Sequence, residues 1–440
     1  MTSAPPRLTT LEILEHLVAF PTISRDSNLP LVDWVELYLM AWGARCRRTW
    51  NDEGTKANLL ATFGPDAPGG VVLSGHTDVV PVEGQDWSSD PFTLVERDGR
   101  LYGRGAADMK GFLAVVLGLV PEIAAISLQR PLHLAFSYDE EVGCLGVGRM
   151  VADLVGHFLL PSVAIVGEPT SMEVVRAHKS VNAFRTRVTG QAAHSSQPQR
   201  GASAILGAGR LLEELRRIGV ENRRRGEEEG EAAGAGFDPP WTTVQAGMIQ
   251  GGTALNILPA ECTFLWEYRS LPDEDPSKIL ARMESFAREE VLPELQEFAP
   301  GAKVVIETLA RVPPLRPETK APRRQGVEAS MAGTRAAGAT DSGEGGDGPG
   351  RVQEKGEPRA EALVRHLPGV RAGGTGAVSF ATEGGTFQAA GISTVVCGPG
   401  SIDQAHRPDE FIAISQLEAC ADALRGLLPL LATEAAEGAR

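Results

Sequence analysis

Apolar residues follow two different patterns along the chain. Residues 10–20 and 31–42 space them at helical intervals, and residues 415–431 do so again near the end. Short continuous apolar runs lie between these helices and predict buried strands at 58–63, 71–74, 131–137 and 163–166. The unbroken apolar segment at 111–119 predicts a helix buried against the sheet. Strands that alternate with helices predict an α/β domain with a mainly parallel sheet.

The pattern changes near residue 177. Residues 180–189 and 261–269 alternate apolar and polar positions, as half-exposed antiparallel strands do, and residues 202–218 are helical. We therefore predict a second, inserted α+β domain. The predicted bounds are 1–177 together with 301–440 for the main domain and 178–300 for the inserted one.

Two further segments have the composition of irregular chain. Residues 222–236 are charged and rich in Gly, which predicts a loop. Residues 313–360 begin with Pro and basic residues and continue mostly with Gly, Ala, Ser and acidic residues. This composition predicts a disordered insertion in the main domain, and a solvated insert is favoured over a lid that covers a site.

Polar candidates follow directly on the predicted strands. His76 comes just after the run that ends at residue 74, residues 139–141 follow the strand at 131–137, and Glu168 follows the strand at 163–166. Ligands collect at the carboxyl ends of the strands in parallel sheets. We therefore expect these side chains to face a common site.

Together these segments offer the ligands that a pair of divalent metal ions requires. His76 and His406 supply imidazoles, and Asp108, Glu168 and residues 139–141 supply carboxylates. One Asp can bridge two cations about 3.5–4 Å apart. Within 139–141, one Glu can bind a metal while its neighbour serves as general base.

Taken singly, these residues have ordinary explanations. His76 and Asp78 fit a surface turn, Asp108 fits a helix N-cap, and the acidic run 139–141 fits an exposed loop. His194 stays undecided, because a lone histidine is more often structural or exposed than catalytic. The combination beside buried runs predicts a two-metal hydrolase.

Composition limits the partners. The chain of 440 residues is long enough for two or three domains, and its net charge of −15 argues against nucleic acid and anionic membranes as partners. Its five cysteines are scattered without paired spacing, which indicates reduced thiols. No signal peptide is visible and the apolar runs are short for a membrane span, so we expect a cytoplasmic enzyme.

Taken in order, the chemistry-bearing segments resemble the M20 family of metallopeptidases and deacylases. The similarity covers most of the chain outside 222–238 and 313–360. The resembling stretches are 75–81, 87–92, 102–105, 108–111, 139–141, 167–170, 251–256 and 398–401.

This resemblance implies a centre of two divalent metal ions, zinc or cobalt. The implied ligands are Asp108 as the bridge, His76 and Glu168 for one ion, and Glu141 and His406 for the other. The resemblance further implies that Asp78 supports His76, that Glu140 is the general base and acid, and that a cis peptide bond follows Asp108.

The resemblance also assigns roles to the inserted domain. This domain would be the dimerisation or lid domain of a homodimer, and His194 would reach the neighbouring subunit's site to stabilise the oxyanion. Asn256 and Arg269 match positions that bind the amide and carboxylate of the substrate. Outside the inserted domain, Glu383 is expected to shape the substrate pocket around a cationic side chain or the α-carboxylate.

The implied substrate is a small N-acyl amino acid. The resemblance favours hydrolysis of N2-acetyl-L-ornithine to L-ornithine and acetate in arginine biosynthesis. Desuccinylation of succinyl-diaminopimelate, hydrolysis of another N-acyl amino acid and cleavage of a dipeptide are the alternatives among enzymes. A non-catalytic metal-binding scaffold is the alternative from another class, and it would be marked by loss of Glu140 or of a ligand.

Overall fold

The computed structural model describes residues 5–229, 236–318, 360–371 and 376–432. The helices in these ranges are α1 (Thr10–Ala19), α2 (Leu29–Ala41), α3 (Gly111–Gly118), α4 (Val120–Ala124), α5 (Val147–His157), α6 (Ala204–Glu229), α7 (Ser277–Phe286), α8 (Leu292–Gln296), α9 (Ala360–Val364), α10 (Gly384–Ala389) and α11 (Ile414–Ala432). The strands are β1 (Arg45–Trp50), β2 (Ala57–Phe63), β3 (Val71–His76), β4 (Val95–Arg97), β5 (Arg100–Tyr102), β6 (Leu132–Ser137), β7 (Val163–Pro169), β8 (Ala177–His178), β9 (Val181–Thr189), β10 (Thr243–Gly251), β11 (Glu261–Arg269), β12 (Lys303–Val312), β13 (Ala377–Val378), β14 (Ser393–Gly398) and β15 (Phe411–Ala413). Within these ranges, no helix combines the length and the apolar character needed to cross a membrane.

A six-stranded sheet organises the main part of the protein. Its strand order is β1-β2-β6-β3-β7-β14, in which the last four strands are parallel and β2 is antiparallel to both neighbours. Every residue of β2, β3, β6, β7 and β14 is buried, which explains their continuous apolar runs. The buried helix α3 packs between this sheet and α1 and α11. The predicted α/β class with a mainly parallel sheet is confirmed.

A separate antiparallel sheet has the strand order β10-β11-β9-β12. Its central strands β9 and β11 alternate buried and partly exposed residues, as their sequence pattern predicts. Stacked rings of Phe184, Trp266 and Tyr268 form its core together with apolar residues of α6 and α7. The predicted α+β part is therefore distinct from the parallel sheet.

The second sheet continues beyond residue 300, where the sequence placed a boundary. Strand β12 begins at Lys303 and pairs with β9 along its length. Pro300 and Gly301 form the turn between α8 and β12. These two residues mark a turn inside the second α+β part rather than the return to the main sheet.

Helix α6 extends to Glu229, so the prediction of a loop at 222–236 is wrong for residues 222–229. The charged residues in this stretch pair one helical turn apart, as Arg223 does with Glu227 at 2.7 Å. Such pairs stabilise a solvated helix even where apolar residues are scarce.

Part of the predicted insertion at 313–360 cannot be compared with the structure. Residues 319–359 lie outside the described residues, as do residues 230–235 of the predicted loop. The first residues of the segment are ordered against α10, since the backbone of Arg316 exchanges hydrogen bonds of 2.9 and 2.8 Å with the side chain of Gln388.

Candidate metal centre

The predicted metal ligands lie around the carboxyl end of the parallel sheet. His76 is the last residue of β3, Glu168 lies near the end of β7, and Glu141 follows β6. Asp108 lies in an irregular turn that leads into α3, and its peptide bond to Met109 is cis, as the resemblance implied. His406 enters from the loop between β14 and β15.

Asp108 is shared by two groups of side chains that can bind metal. The ligand atoms of His76, Asp108 and Glu168 lie within 4.8 Å of one another, and so do those of Asp108, Glu141 and His406. Asp108 Oδ1 is 3.2 Å from His76 Nε2, and its Oδ2 is 3.5 Å from His406 Nε2. The structure therefore brings all five predicted ligands together around a carboxylate that can bridge two cations.

The charges of these groups fit divalent cations. Glu168 Oε1 is buried and has no hydrogen-bond partner among the described residues. Burial raises the pKa of Glu168 well above its usual range and raises the pKa of Glu141 to about 7. A buried carboxylate is costly unless a cation or donors compensate it. The clusters are consistent with a dinuclear metal site.

The imidazole of His76 is held by a backbone carbonyl. His76 Nδ1 donates a hydrogen bond of 2.8 Å to the backbone oxygen of Asp78. Nε2 of the same ring is then available to bind a metal. The carboxylate of Asp78 is 3.7 Å from the same nitrogen. The predicted support of His76 by Asp78 thus runs through the backbone, because the chain turns directly after β3. The carboxylate of Asp78 is therefore available to accept hydrogen bonds from other groups.

Glu140 lies beside the clusters and belongs to neither of them. Its side chain accepts a hydrogen bond of 3.2 Å from the thiol of Cys144. Burial raises the pKa of Glu140 to about 8, and the nearby Glu141 adds to this effect while His76 opposes it. A carboxyl group with a pKa near neutrality can accept and return a proton. Its role as general base stays a prediction.

The other predicted substrate contacts lie in the second α+β part. His194 is exposed and pairs with Ile257, and its Nδ1 accepts a hydrogen bond of 2.8 Å from the hydroxyl of Ser196. Asn256 is exposed on the neighbouring segment, and Arg269 at the end of β11 pairs with Glu267 at 3.2 Å. The structure does not bring these residues into the metal clusters, and their roles stay predictions.

Glu383 is enclosed between the ends of two strands of the main sheet. Its carboxylate accepts hydrogen bonds from the hydroxyl of Ser74 in β3, at 2.9 Å, and from that of Ser137 in β6. The side chain is only 1% exposed. In this position it holds the ends of the two strands together, and its role in shaping a substrate pocket stays a prediction.

A buried ion pair next to the site is not visible in the sequence. Arg104 Nη1 lies 2.7 Å from Glu410 Oε2, and each side chain is 1% exposed. Glu410 follows closely on His406, and Arg104 stands between two glycines that lead to Asp108. Their closeness in sequence to His406 and Asp108 could have suggested that both residues lie near the site. Nothing in the local sequence indicates that they pair with each other.

The sequence profile of peptidase family M20/M25/M40 matches residues 72–429. The chain belongs to this family. Curated M20 relatives include the acetylornithine deacetylase of Myxococcus xanthus, which is 34% identical over 92% of this chain and 93% of its own length. The acetylornithine deacetylase of Proteus mirabilis (strain HI4320) is 32% identical and covers 93% of each chain.

Solved structures show the same fold at low sequence identity. A tripeptidase from Staphylococcus aureus subsp. aureus Mu50 matches with a TM-score of 0.64 at 19% identity, covering 98% of this chain and 100% of its own. Human carnosine dipeptidase 1 matches with a TM-score of 0.61 at 17% identity, covering 96% of each chain. Together with the two ligand clusters, family membership makes this protein an M20 hydrolase.

Proposed function

We propose that this M20 hydrolase removes the acetyl group of N2-acetyl-L-ornithine and releases L-ornithine and acetate in arginine biosynthesis. The observation that carries the proposal is the pair of ligand clusters that share Asp108. The substrate assignment is supported by the M20 relatives named acetylornithine deacetylase, which match more than nine-tenths of the chain. The scaffold alternative predicts loss of Glu140 or of a ligand, and all of these residues are present.

In this proposal, one divalent ion would be held by His76, Glu168 and Asp108, and the other by Asp108, Glu141 and His406. When bound, two zinc or cobalt ions supply a Lewis acid for the amide carbonyl and lower the pKa of water. Glu140 takes a proton from the attacking water and returns it to the leaving amine. A carboxyl whose pKa burial has raised towards neutrality is suited to both steps.

The remaining proposed roles belong to residues of the second α+β part. We propose that His194 donates a hydrogen bond to the developing oxyanion in the neighbouring subunit's site, while Asn256 and Arg269 bind the amide and carboxylate of the substrate. His194 is exposed, as a residue that acts on a partner must be.

A homodimer through the second α+β part belongs to the same proposal. Strand β10 lies at the edge of its sheet and exposes Met248 and Ile249, and the segment after it exposes Leu255 and Ile257. Unpaired strand edges with exposed apolar residues are natural surfaces for a second copy. We propose that this domain includes β12 and therefore extends past residue 300.

We also propose that the protein is located in the cytoplasm. All five cysteines are free thiols, which is usual for proteins of reducing compartments.

The deciding experiment is amide hydrolysis by purified, metal-loaded protein. N2-acetylornithine, N-acetylmethionine, N-succinyl-diaminopimelate and a dipeptide are compared as substrates, with Glu140→Gln as the inactive variant. Glu83→Gln removes an exposed carboxylate that pairs with Arg25 and serves as the matched control. We expect the highest kcat/KM for N2-acetylornithine. This activity should be lost on chelation and in Glu140→Gln, whereas Glu83→Gln should retain it. A higher kcat/KM for another amide would overturn the substrate assignment.

A further inference from the structure

The carboxylate of Glu410 lies beneath the turn that carries Asp108. Its Oε1 accepts the backbone N–H groups of Ala107 at 2.8 Å and Asp108 at 3.0 Å. Its Oε2 accepts the backbone N–H of Gly105 at 3.0 Å and Nη1 of Arg104 at 2.7 Å. Four donors therefore converge on one buried anion, and one of them is the backbone of the residue shared by both metal clusters.

The backbone of this turn is shaped to present those donors. Gly105 has a φ of 82°, a left-handed conformation that glycine adopts without steric cost. N–H groups that converge from such a turn form a concave site for an anion. Here the anion is part of the protein, so Glu410 fixes the path of the chain into Asp108.

The same ion pair reaches the loop of His406. Arg104 Nη2 donates to Gln85 Oε1 at 2.6 Å, and Gln85 Nε2 donates to the backbone oxygen of His406 at 3.0 Å. Arg104 Nη1 also lies 3.3 Å from the backbone oxygen of Arg407. The network thus ties the loop of one metal ligand to the turn of another.

Two features show that this connection is constrained. The backbone N–H of Gly103 donates to the backbone oxygen of Glu410 at 3.0 Å, next to the pairing of Phe411 with Tyr102 between β15 and β5. His406 itself has a φ of 65°, which is uncommon for a residue other than glycine and persists only where its surroundings hold it.

We propose that Glu410 and Arg104 are positioning residues that hold the proposed metal ligands Asp108 and His406 in place relative to each other. They do so by fixing the backbone of Asp108 and the loop of His406, and neither of them belongs to the two ligand clusters. This inference rests on the proposed dinuclear centre. It adds that the metal centre requires Glu410 and Arg104, which are not themselves ligands.

The inference predicts which metal affinities change. Glu410→Gln places an amide NH₂ against N–H donors, and we expect affinity for both ions to fall by about 10–100-fold, the range typical of residues that orient metal ligands. Gln85→Ala removes the contact to His406 and the acceptor of Arg104 Nη2, but it leaves the hydrogen bonds of Glu410 to the turn of Asp108. We therefore expect it to weaken the ion held by Glu141 and His406 more than the other ion. Arg104→Lys keeps the charge but cannot reach Glu410 and Gln85 together, and should give an intermediate loss.

The test is a titration of metal-free protein with Zn²⁺ against a chromophoric chelator, repeated with Co²⁺ by absorption spectroscopy. Glu214→Gln is the matched control, because Glu214 is a buried carboxylate paired with Arg282 at 2.7 Å in the second α+β part. Circular dichroism and thermal unfolding of each metal-free variant report folding separately from metal binding.

Two tight sites in the wild type and in Glu214→Gln, with both weakened in folded Glu410→Gln, support the inference. Wild-type affinities in folded Glu410→Gln overturn it. If Glu410→Gln does not fold, Gln85→Ala and Arg104→Lys decide, and wild-type affinities in both overturn it. Failure of the wild type to bind two ions would instead refute the proposed dinuclear centre, so the two failures are distinguishable.

Discussion

The carboxylate of Asp78 accepts a hydrogen bond of 3.1 Å from the backbone N–H of Glu140. It also accepts the backbone N–H of Glu141 at 3.3 Å and the hydroxyl of Ser24 at 2.7 Å. Asp78 therefore holds the segment that carries both the proposed base and a metal ligand, while its backbone oxygen orients His76. Asp78 thus contacts His76 through its backbone oxygen and the segment of Glu140 and Glu141 through its carboxylate.

This division predicts a selective effect of Asp78→Asn. The amide can accept fewer of these donors, so we expect kcat to fall by about 10–100-fold, as for other residues that orient active groups. The ion held by His76 and Glu168 should bind as in the wild type, because the backbone oxygen that fixes His76 is unchanged. Steady-state kinetics and zinc titration check this, with Ser24→Ala as a milder control. Loss of the ion at His76 would show that the carboxylate orients the imidazole after all.

The enclosure of Glu383 predicts an effect on stability rather than on substrate choice. Glu383→Ala leaves the buried hydroxyls of Ser74 and Ser137 without their acceptor, so the free energy of unfolding should fall by about 1–3 kcal/mol. Glu383→Gln should leave unchanged the ratio of kcat/KM for N2-acetylornithine to that for N-acetylmethionine. Urea unfolding and paired kinetics test both statements. A changed ratio in Glu383→Gln would restore the sequence-based hypothesis that this residue shapes the pocket.

The metal ligands were predictable because they are encoded locally. His76 and Glu168 stand at the ends of strands that are buried along their whole length, so both the strands and the polar residues at their ends are visible in the sequence. Strands at sheet edges were less visible. Strand β1 has the sequence RCRRTW, and each of its residues is exposed or partly exposed. β10 is mostly exposed and gives no apolar run.

The pairing of Arg104 with Glu410 could not be predicted for a different reason. The two residues are 306 positions apart, and each looks like an ordinary charged residue, Arg104 between two glycines and Glu410 after Asp409. Only the pairing of β5 with β15 brings them together. Long-range contacts of this kind leave no periodicity in a single sequence.

His133 predicts how the stability of the metal-free protein depends on pH. Burial lowers its pKa to about 4, below the value of about 6.5 that a histidine has in the unfolded chain. The unfolded state therefore binds more protons between these values, so the stability is complete above pH 6.5 and falls as the pH drops towards 4. The difference of about 2.5 between the two pKa values corresponds to roughly 3 kcal/mol.

His133→Asn keeps a polar atom for Thr62, which lies 2.9 Å from His133 Nδ1, and removes the titrating ring. We expect it to unfold more easily at pH 7.5, because the larger ring leaves a cavity, but to lose less stability than the wild type between pH 6.5 and 4. Urea unfolding in the presence of a chelator measures this difference. His157→Asn, at an exposed histidine of α5, is the control. Parallel pH profiles for His133→Asn and the wild type would contradict the assignment.

The proposed action of His194 on a neighbouring subunit predicts complementation between two inactive variants. Glu140→Gln removes the base from its own site, and His194→Ala removes the donor that it would offer to its partner. In a mixed dimer, the site that keeps Glu140 also receives an intact His194. With two-fold symmetry and random mixing, about a quarter of the wild-type activity should return.

The experiment is to unfold the two variants together, refold them with metal and compare their activity with that of each variant refolded alone. Met248→Asp places a charge on the exposed edge strand β10 and should abolish the recovery by preventing dimerisation, which light scattering checks. If mixed dimers form without recovered activity, His194 does not act across the subunit boundary. If His194→Ala is fully active alone, the oxyanion must be stabilised by other groups, and the exposed position of His194 would then reflect only the path of its loop.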